Sequence, residues 1–278
     1  MKIAYLGPAG TFTEDALGEA LAGAEQFEPL RTPTIHEAIL AVEDGEAERA
    51  LVPFENSIEG SVRSTLDALA FDAKGVTIVG EHDFAVRAHL IARRPYELAE
   101  IEAVLSHPQP LAQCARFLRE NLSEVERRSV SSTAAAVRMV GESQRPWAAI
   151  GARSAAAMYG CSILREGIED EADNVTRFVW VAPAGTEVAG DGLWKTSLVF
   201  SELGEDHPGA LVEALREFSD RSVNLSRIES RPLRQGLGRY MFFCDLEGAE
   251  ADPAVAEAVA ALRTKAESVR VLGSYPVS

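Results

Sequence analysis

The chain has 278 residues, more than one hydrophobic core usually organises, which favours two or three domains. Acidic residues outnumber basic residues by 43 to 27, and the formal net charge of -16 opposes a general attraction to nucleic acid or anionic membranes. The three cysteines and five histidines are scattered and match no metal-ligand spacing, so we expect neither a metal site nor a catalytic thiol. The first apolar run soon meets glycine and proline, which argues against a signal peptide or a spanning helix and predicts a cytoplasmic protein.

The first part of the chain alternates short apolar runs with amphipathic stretches, a rhythm typical of βα units around a mainly parallel sheet. We predict strands at residues 3–6 and 50–53, each followed by a helix, at 13–21 and 61–71. Residues 76–92 form a longer extended segment, which we interpret as the crossover into a second lobe.

The second lobe repeats the pattern, with predicted strands at 103–105, 125–130 and 148–150, each followed by a helix. A strand at 176–181 then returns to the first lobe, so the residues just before it lie near a hinge. Ligands often bind in such crevices, at the carboxyl ends of strands.

Residues 183–192 are rich in turn formers and predict a linker. From Trp194 onward the order βαββαβ predicts a ferredoxin-like unit. Its elements are a strand at 195–201, a helix at 209–219, strands at 223–230 and 240–246, a helix at 254–265 and a strand at 269–272.

The segment Asp173–Phe178 offers a hydroxyl, on Thr176, beside a cation, on Arg177, at a strand entrance. That combination suits chemistry on a small, oxygen-rich anion. The same residues also fit an ordinary half-buried strand, with Thr176 and Phe178 on one face and Arg177 on the other.

The segment Gly7–Thr11 lies between the first strand and the first helix, where backbone N–H groups and the helix end can hold a carboxylate. It matches neither the Walker A lysine pattern nor GxGxxG, which disfavours a nucleotide. Thr11 and Glu14 also fit a capping box, which alone would explain the threonine.

Polar residues follow other strands at the same edge. Asn56, Ser57 and Gly60 open a turn after the strand at 50–53, and the second lobe adds Ser106, Gln109, Gln113 and residues 131–133. Taken singly, each fits a helix cap or a turn.

Together these segments resemble the prephenate dehydratase family. The resemblance runs over nearly the whole chain and rests on Gly7–Thr13, Pro53–Gly60, Ser106–Gln109, Asp173–Phe178, Ile228–Pro232 and Leu272–Pro276. It implies an α/β fold: a two-lobed, periplasmic-binding-protein-like catalytic domain followed by a ferredoxin-like ACT domain, a small regulatory module. The expected limits are 1–183 for the catalytic domain (first lobe 1–78 and 173–183, second lobe 79–172), 184–193 for the linker and 194–278 for the ACT domain.

The resemblance implies that prephenate loses its ring carboxylate as carbon dioxide and its ring hydroxyl as water, giving phenylpyruvate for L-phenylalanine biosynthesis. No cofactor is required. The implied catalytic residues are Thr176, as hydrogen-bond donor to the leaving hydroxyl, with Asn56, Ser57 and Gln113. The implied substrate-binding residues are Gly10, Thr11, Gly60, Ser106, Ser132, Thr133, Arg177 and Phe178.

Two segments of the predicted ACT domain carry the family's regulatory pattern. If the resemblance is set aside, Glu229 and Arg231 fit an ordinary solvated strand face equally well. The resemblance implies that L-phenylalanine binds between subunits, in at least a homodimer, with a homotetramer left open. The implied effector-binding residues are Gly209, Ala210, Leu211, Val212, Asn224, Leu225, Glu229, Ser230, Arg231 and Pro232.

Alternatives remain open from the sequence. The same chemistry on arogenate, the aminated relative of prephenate, fits equally well. A non-catalytic cytoplasmic amino-acid sensor also fits two lobes around a hinge. No helical region precedes Met1–Ile3, so no fused chorismate mutase is expected.

Overall fold

The computed structural model describes residues 1–21, 27–204 and 207–277. Residues up to 85 contain β1 (Lys2–Leu6), α1 (Phe12–Ala20), β2 (Glu28–Thr32), α2 (Ile35–Glu43), β3 (Arg49–Asn56), β4 (Gly60–Ser61), α3 (Arg63–Asp67), a π-helical turn (Ala68–Asp72) and β5 (Val76–Ala85). The next residues contain β6 (His89–Ala92), a 3-10 turn (Leu98–Glu100), β7 (Ala103–Ser106), α4 (Pro108–Gln113), α5 (Ala115–Asn121), β8 (Glu126–Ser129), α6 (Thr133–Glu142), β9 (Trp147–Gly151), α7 (Arg153–Met158) and β10 (Ser162–Arg165). They are followed by β11 (Val175–Pro183), β12 (Trp194–Ser201), α8 (Ala210–Ser219), β13 (Leu225–Pro232), β14 (Tyr240–Glu247), α9 (Pro253–Leu262) and β15 (Ser268–Pro276).

The first lobe is built on a sheet with strand order β2-β1-β3-β11-β5, with β4 beside β3. β1 runs parallel to β2 and β3, whereas β11 is antiparallel to both β3 and β5. One face of the sheet packs its apolar side chains under α1, and among them is Phe178 of β11. The returning strand is therefore central to the first lobe.

The structure corrects the predicted boundary between the lobes. The extended segment 76–92 is two strands, and β11 pairs with β5 from Val76 to Ala85. The first lobe therefore runs to Ala85 rather than to residue 78. The structure also adds β2 and α2, which the sequence prediction left out. β2 carries charges and a proline, as suits the edge strand that it is.

The second lobe has the strand order β10-β6-β9-β7-β8. β7 is parallel to β8 and β9. The three strands predicted for this lobe are confirmed within one residue at each end. Helix α6 begins at Thr133 because the Ser132 hydroxyl accepts a hydrogen bond from the Ala135 amide at 3.0 Å. Its apolar face then packs on the sheet.

The C-terminal unit confirms the βαββαβ prediction, with four antiparallel strands in the order β13-β14-β12-β15. One face of this sheet is covered by α8 and α9. The other face joins the hydrophobic core of the first lobe, through residues such as Phe243 and Tyr275. Gly273 is needed there, since a Cβ atom at that position would collide with the Ile78 carbonyl group.

Candidate active site

A hydroxyl and an amide meet where β3 and β11 pair. Thr176 lies opposite Asn56, and the Asn56 Nδ2 donates a hydrogen bond to the Thr176 Oγ1 at 2.9 Å. The Thr176 oxygen is the acceptor in this contact, so its own proton remains available to a second acceptor. Thr176 is only half-buried, which leaves it accessible to a ligand.

The orientation of the Asn56 amide is fixed by its neighbours. Its Oδ1 accepts hydrogen bonds from the backbone amides of Ile58 and Glu59, each at 3.0 Å, and those groups can only donate. Its Nδ2 also donates to the Asn174 Oδ1 at 2.7 Å. Asn56 is buried, so these contacts hold the amide that orients Thr176.

Ser57 is used differently from the sequence prediction. Its hydroxyl donates to the Asp173 carbonyl and accepts from the Val175 amide, both at 3.0 Å. These bonds hold the entrance of β11, and with it Thr176, against the turn after β3, while Ser57 itself is exposed. Gly60 completes that turn in the left-handed region, with φ of 80°.

Gln113, at the end of α4 in the second lobe, connects that lobe to the residues around Asn56 and Thr176. Its Nε2 donates to Glu59 at 3.1 Å, and its Oε1 accepts from the Asn174 Nδ2 at 3.3 Å. Asn174 thus connects Gln113 with Asn56, yet sequence reasoning did not select it. The signal that was available is its position two residues before Thr176, and the structure leaves only 2% of Asn174 exposed.

A second group of predicted residues lines a cavity of about 600 Å³ between the lobes. Thr11 precedes α1, and Ser132 and Thr133 begin α6, so two helix N-termini meet at this cavity. Helix N-termini favour carboxylates. Arg138 also lines the cavity and supplies a cation that the sequence prediction missed, one turn into α6. Gln109 is a further lining residue.

The predicted capping box of Thr11 and Glu14 does not form. Thr11 makes no side-chain cap bond, and the Glu14 carboxylate instead accepts from the Gly10 amide at 2.6 Å. The same carboxylate accepts from the Tyr5 hydroxyl at 2.6 Å and from Arg31 at 2.9 Å. Burial alone raises the pKa of Glu14, but these hydrogen bonds outweigh burial and hold that pKa below its usual value.

We predict that Glu14→Gln lowers the free energy of unfolding by about 1–3 kcal/mol at neutral pH, because a charged acceptor is lost. A carboxyl whose pKa is lowered by folding stabilises the protein above its unfolded pKa, and this stabilisation disappears as the pH falls through the folded pKa. The difference in Tm between wild type and variant should therefore shrink in acid. Glu28→Gln, on the exposed edge strand β2, is the control. A difference independent of pH would contradict this role.

Two predicted substrate-binding residues lie in the interior. Ser106 is completely buried and donates to the Ile150 carbonyl at 2.7 Å, so it satisfies the backbone between β7 and β9. Phe178 is 2% exposed and contacts Phe84 edge-to-face. Neither side chain lines the cavity between the lobes.

Arg177, a predicted substrate-binding residue, lies at the interface with the C-terminal unit and does not line the cavity between the lobes. Its guanidinium group lies 2.6 Å from Asp245 of β14 and 3.4 Å from Glu81 of β5. It also lies over the ring of Phe54 at 4.8 Å. Alternation along β11 places Thr176 and Arg177 on opposite faces, and the arginine face meets the C-terminal unit.

Comparisons with known proteins agree with this architecture. The sequence profile of the family described as prephenate dehydratase matches residues 3–186. A prephenate dehydratase of Mycolicibacterium smegmatis is 42% identical over 284 residues, which cover 99% of this chain and 90% of the relative. The chain belongs to the prephenate dehydratase family. The profile of the ACT domain matches residues 202–264.

Solved structures related to this prephenate dehydratase family member cover its full length. The prephenate dehydratase of Arthrobacter aurescens, solved in complex with L-Phe, is 41% identical, with a TM-score of 0.89 over 99% of this chain and 90% of that one. A protein described as a novel type of quorum quenching acylase is 31% identical, with a TM-score of 0.87 over 100% of this chain and 98% of that one.

The regulatory residues expected from the prephenate dehydratase family lie at the start of α8 and along β13. Gly209 precedes α8 with φ of 103°, and β13 is the edge strand of the ACT sheet. The Arg231 Nη2 donates hydrogen bonds to both carboxylate oxygens of Asp67, in α3, at 2.9 and 2.8 Å. The Asn224 amide donates to Glu247 at 2.8 Å. Strand β13 therefore contacts the catalytic domain directly.

Other chemistries of the described residues are limited. Burial raises the pKa of the Cys114 and Cys244 thiols to about 12, so both stay neutral at physiological pH. Residues 1–21, 27–204 and 207–277 contain no group of three or more His, Cys, Asp or Glu placed to hold a metal ion. Over the same ranges no helix combines the length and apolar character needed to cross a membrane.

Proposed function

We propose that this chain converts prephenate into phenylpyruvate. The observation that supports this most strongly is the contact between Asn56 and Thr176, which leaves a hydroxyl proton free at the junction of the two lobes. In the reaction, the bond between the ring and its carboxylate breaks, carbon dioxide leaves, and the bonding electrons move into the ring. The ring hydroxyl leaves with a proton as water, and an aromatic ring results.

Thr176 acts as the hydrogen-bond donor to the leaving hydroxyl. A threonine hydroxyl is a weak acid, so its role is to donate a hydrogen bond that strengthens as negative charge develops on the leaving oxygen. Asn56 holds the threonine oxygen, and Asn174 with Gln113 holds Asn56. The protein thus orients one small donor through successive amides.

The two carboxylates of prephenate need partners, because an unpaired charge in a partly enclosed cleft is costly. Arg177 is not available, since it lies against Asp245. We assign this role to the cavity at the starts of α1 and α6, which also includes Arg138. A local site of this kind lets a chain with net charge -16 accept an anion.

The experiment for this proposal supplies prephenate and arogenate to the purified protein in separate reactions. Phenylpyruvate from prephenate, formed faster than the spontaneous acid-catalysed reaction, would support the proposal. Phenylalanine from arogenate alone would assign the same chemistry to the aminated substrate. No product from either, with intact binding of L-phenylalanine, would point to a sensor.

Amide hydrolysis is a second candidate, favoured by the full-length likeness to the quorum quenching acylase. Incubation with an N-acyl amide and detection of the released amine test it. The neutral, buried thiols of Cys114 and Cys244 are unsuited to attack such an amide.

We further propose that L-phenylalanine regulates the enzyme by binding at the start of α8 and along β13. The ACT match and the L-Phe complex of the Arthrobacter relative support this proposal. Glu229→Ala should weaken inhibition by L-phenylalanine at least about 5-fold, the lower end of typical allosteric coupling. Glu257→Ala, on the exposed face of α9, is the control. Unchanged inhibition of the Glu229 variant would remove this residue from the site.

At least a homodimer is expected, because apolar side chains near the regulatory segments are exposed. Val212 of α8 and Ile228 of β13 are 54% and 47% exposed, and Leu237 is fully exposed. Light scattering should give a mass of at least twice the 30.0 kDa of one chain. A monomer at micromolar concentration, with and without L-phenylalanine, would contradict this expectation.

A further inference from the structure

Two dipeptides on paired strands each join the Asn56–Thr176 contact to the interface with the ACT domain. On β3, Asn56 bonds Thr176 whereas Glu55 pairs with arginines at the domain interface. On β11, Thr176 accepts that hydrogen bond and Arg177 pairs with Asp245 at the interface. Glu55 and Arg177 are directly opposite each other in the sheet, as are Asn56 and Thr176.

The interface side is an ion-pair network that spans both domains. Its members are three carboxylates and three cations, Glu55, Glu81, Asp245, Arg177, Lys195 and Arg227. Asp245 is 1% exposed, and its second oxygen accepts from the Ser197 hydroxyl at 2.6 Å. Because the charges balance and are largely withdrawn from water, movement of one member disturbs the others.

The backbone near the network is irregular. The register between β3 and β11 shifts after Arg177, and Phe54 has no direct partner across the strands. Such a bulge re-aims the side chains beside it. The guanidinium groups of Arg177 and Arg227 lie over the Phe54 ring at 4.8 and 4.9 Å. The alignment of Asn56 with Thr176 therefore depends on contacts made on the opposite side of the sheet.

The network also reaches the regulatory strand. Asp245 lies on β14, which pairs with β13 along the stretch that contains Glu229. Arg227, another network member, lies on β13 itself. A displacement of β13 relative to the catalytic domain would therefore move Glu55 and Arg177. Each of these two residues is the direct chain neighbour of Asn56 or Thr176.

We propose that Arg177 and Glu55 are positioning residues, which hold Thr176 and Asn56 in reactive alignment and transmit the effector's signal from Asp245 and Arg227 of the ACT domain. This inference rests on the proposed function for its kinetic consequences. The structural consequence, a change at β11 when the ACT domain binds its effector, does not depend on turnover.

The test compares Asp245→Asn, Glu55→Gln and Arg270→Gln with wild type. The first two keep side-chain shape and remove one network charge. We expect kcat to fall on the order of 10- to 100-fold, as misplaced reactive groups do, with KM within about twofold. L-phenylalanine should still bind, by calorimetry, but inhibit less than about twofold, below the usual range of allosteric coupling.

Arg270→Gln is the matched control. Arg270 also crosses the domain interface, donating to the carbonyls of Leu69 and Ala73 at 2.6 and 2.9 Å, but it contacts no member of the network. Its variant should lower Tm and keep both kcat and inhibition. Equal loss of inhibition in this control would overturn the proposal in favour of a merely structural interface. Full inhibition in the folded Asp245 and Glu55 variants would overturn it too.

Hydrogen exchange separates this inference from the proposed function. L-phenylalanine should change amide exchange of the wild-type peptide around Thr176, and Asp245→Asn should abolish that change. If wild type does not convert prephenate, the proposed function fails but this measurement still decides the inference. Unaltered exchange in wild type would overturn the inference. Should Asp245→Asn not fold, Glu55→Gln decides, because the Glu55 side chain is 37% exposed and tolerates neutralisation.

Discussion

Replacing Thr176 with valine is expected to lower kcat by roughly 100- to 1,000-fold, the usual result of removing a hydrogen-bond donor that stabilises developing negative charge. Valine keeps the shape of the side chain and removes the hydroxyl that Asn56 holds at 2.9 Å. The loss should fall on kcat with KM changed less than about threefold, since the hydrogen bond strengthens only as the hydroxyl leaves. Steady-state kinetics on prephenate measure both parameters.

Thr176→Ser is the matched control, because it retains the hydroxyl on a smaller side chain. It should keep much more activity than the valine variant. Equal activity of the valine variant and wild type would exclude Thr176 as the donor. A rise in KM alone would make Thr176 a binding residue.

Replacing Arg177 with methionine is expected to destabilise the protein by about 3–5 kcal/mol, the usual result of leaving buried charges without their partner. Asp245 and Glu81, both nearly inaccessible to water, would lose their guanidinium contact. Chemical denaturation measures this change. In the folded fraction, KM for prephenate should not rise, because Arg177 does not line the cavity between the lobes.

Arg153→Met is the control for this prediction. Arg153 pairs with Glu166 at 2.9 Å, and both side chains are more than half exposed, so its loss should cost about 0–1 kcal/mol. A large rise in KM for the Arg177 variant without destabilisation would restore the substrate contact inferred from sequence.

The sequence was most informative where a motif brings residue types into fixed order. Asn56 and Thr176 are 120 positions apart, yet the family resemblance placed both in one site, and the structure joins them by a hydrogen bond. The βαββαβ order of the C-terminal unit was likewise readable, because its apolar runs and turn formers mark each element.

Side-chain direction was not readable in the same way. Alternation along a strand says that Thr176 and Arg177 face opposite sides, but only the packing of the ACT sheet decides what each side meets. Ser106 shows a related limit, since a serine at a strand end can face a ligand or satisfy a buried carbonyl. The predicted lobe boundary differs from the observed one because the residue composition of β5 resembles that of the crossover that follows it. Only the pairing of β5 with β11 shows that β5 belongs to the first-lobe sheet.

Asn174 and Arg138 are site residues that the sequence does not predict. Asn174 acts through two other amides, which no local pattern in the sequence indicates. Arg138 reaches the cavity only because α6 begins there. Both depend on how the two lobes face each other, a tertiary property.

The most direct measurement is the rate of phenylpyruvate formation from prephenate by the purified wild-type chain, as a function of L-phenylalanine concentration. We expect turnover well above the spontaneous rate, and a progressive decrease as L-phenylalanine is added. Absence of turnover would contradict the proposed conversion of prephenate, and turnover indifferent to L-phenylalanine would contradict the proposed connection between β13 and β11.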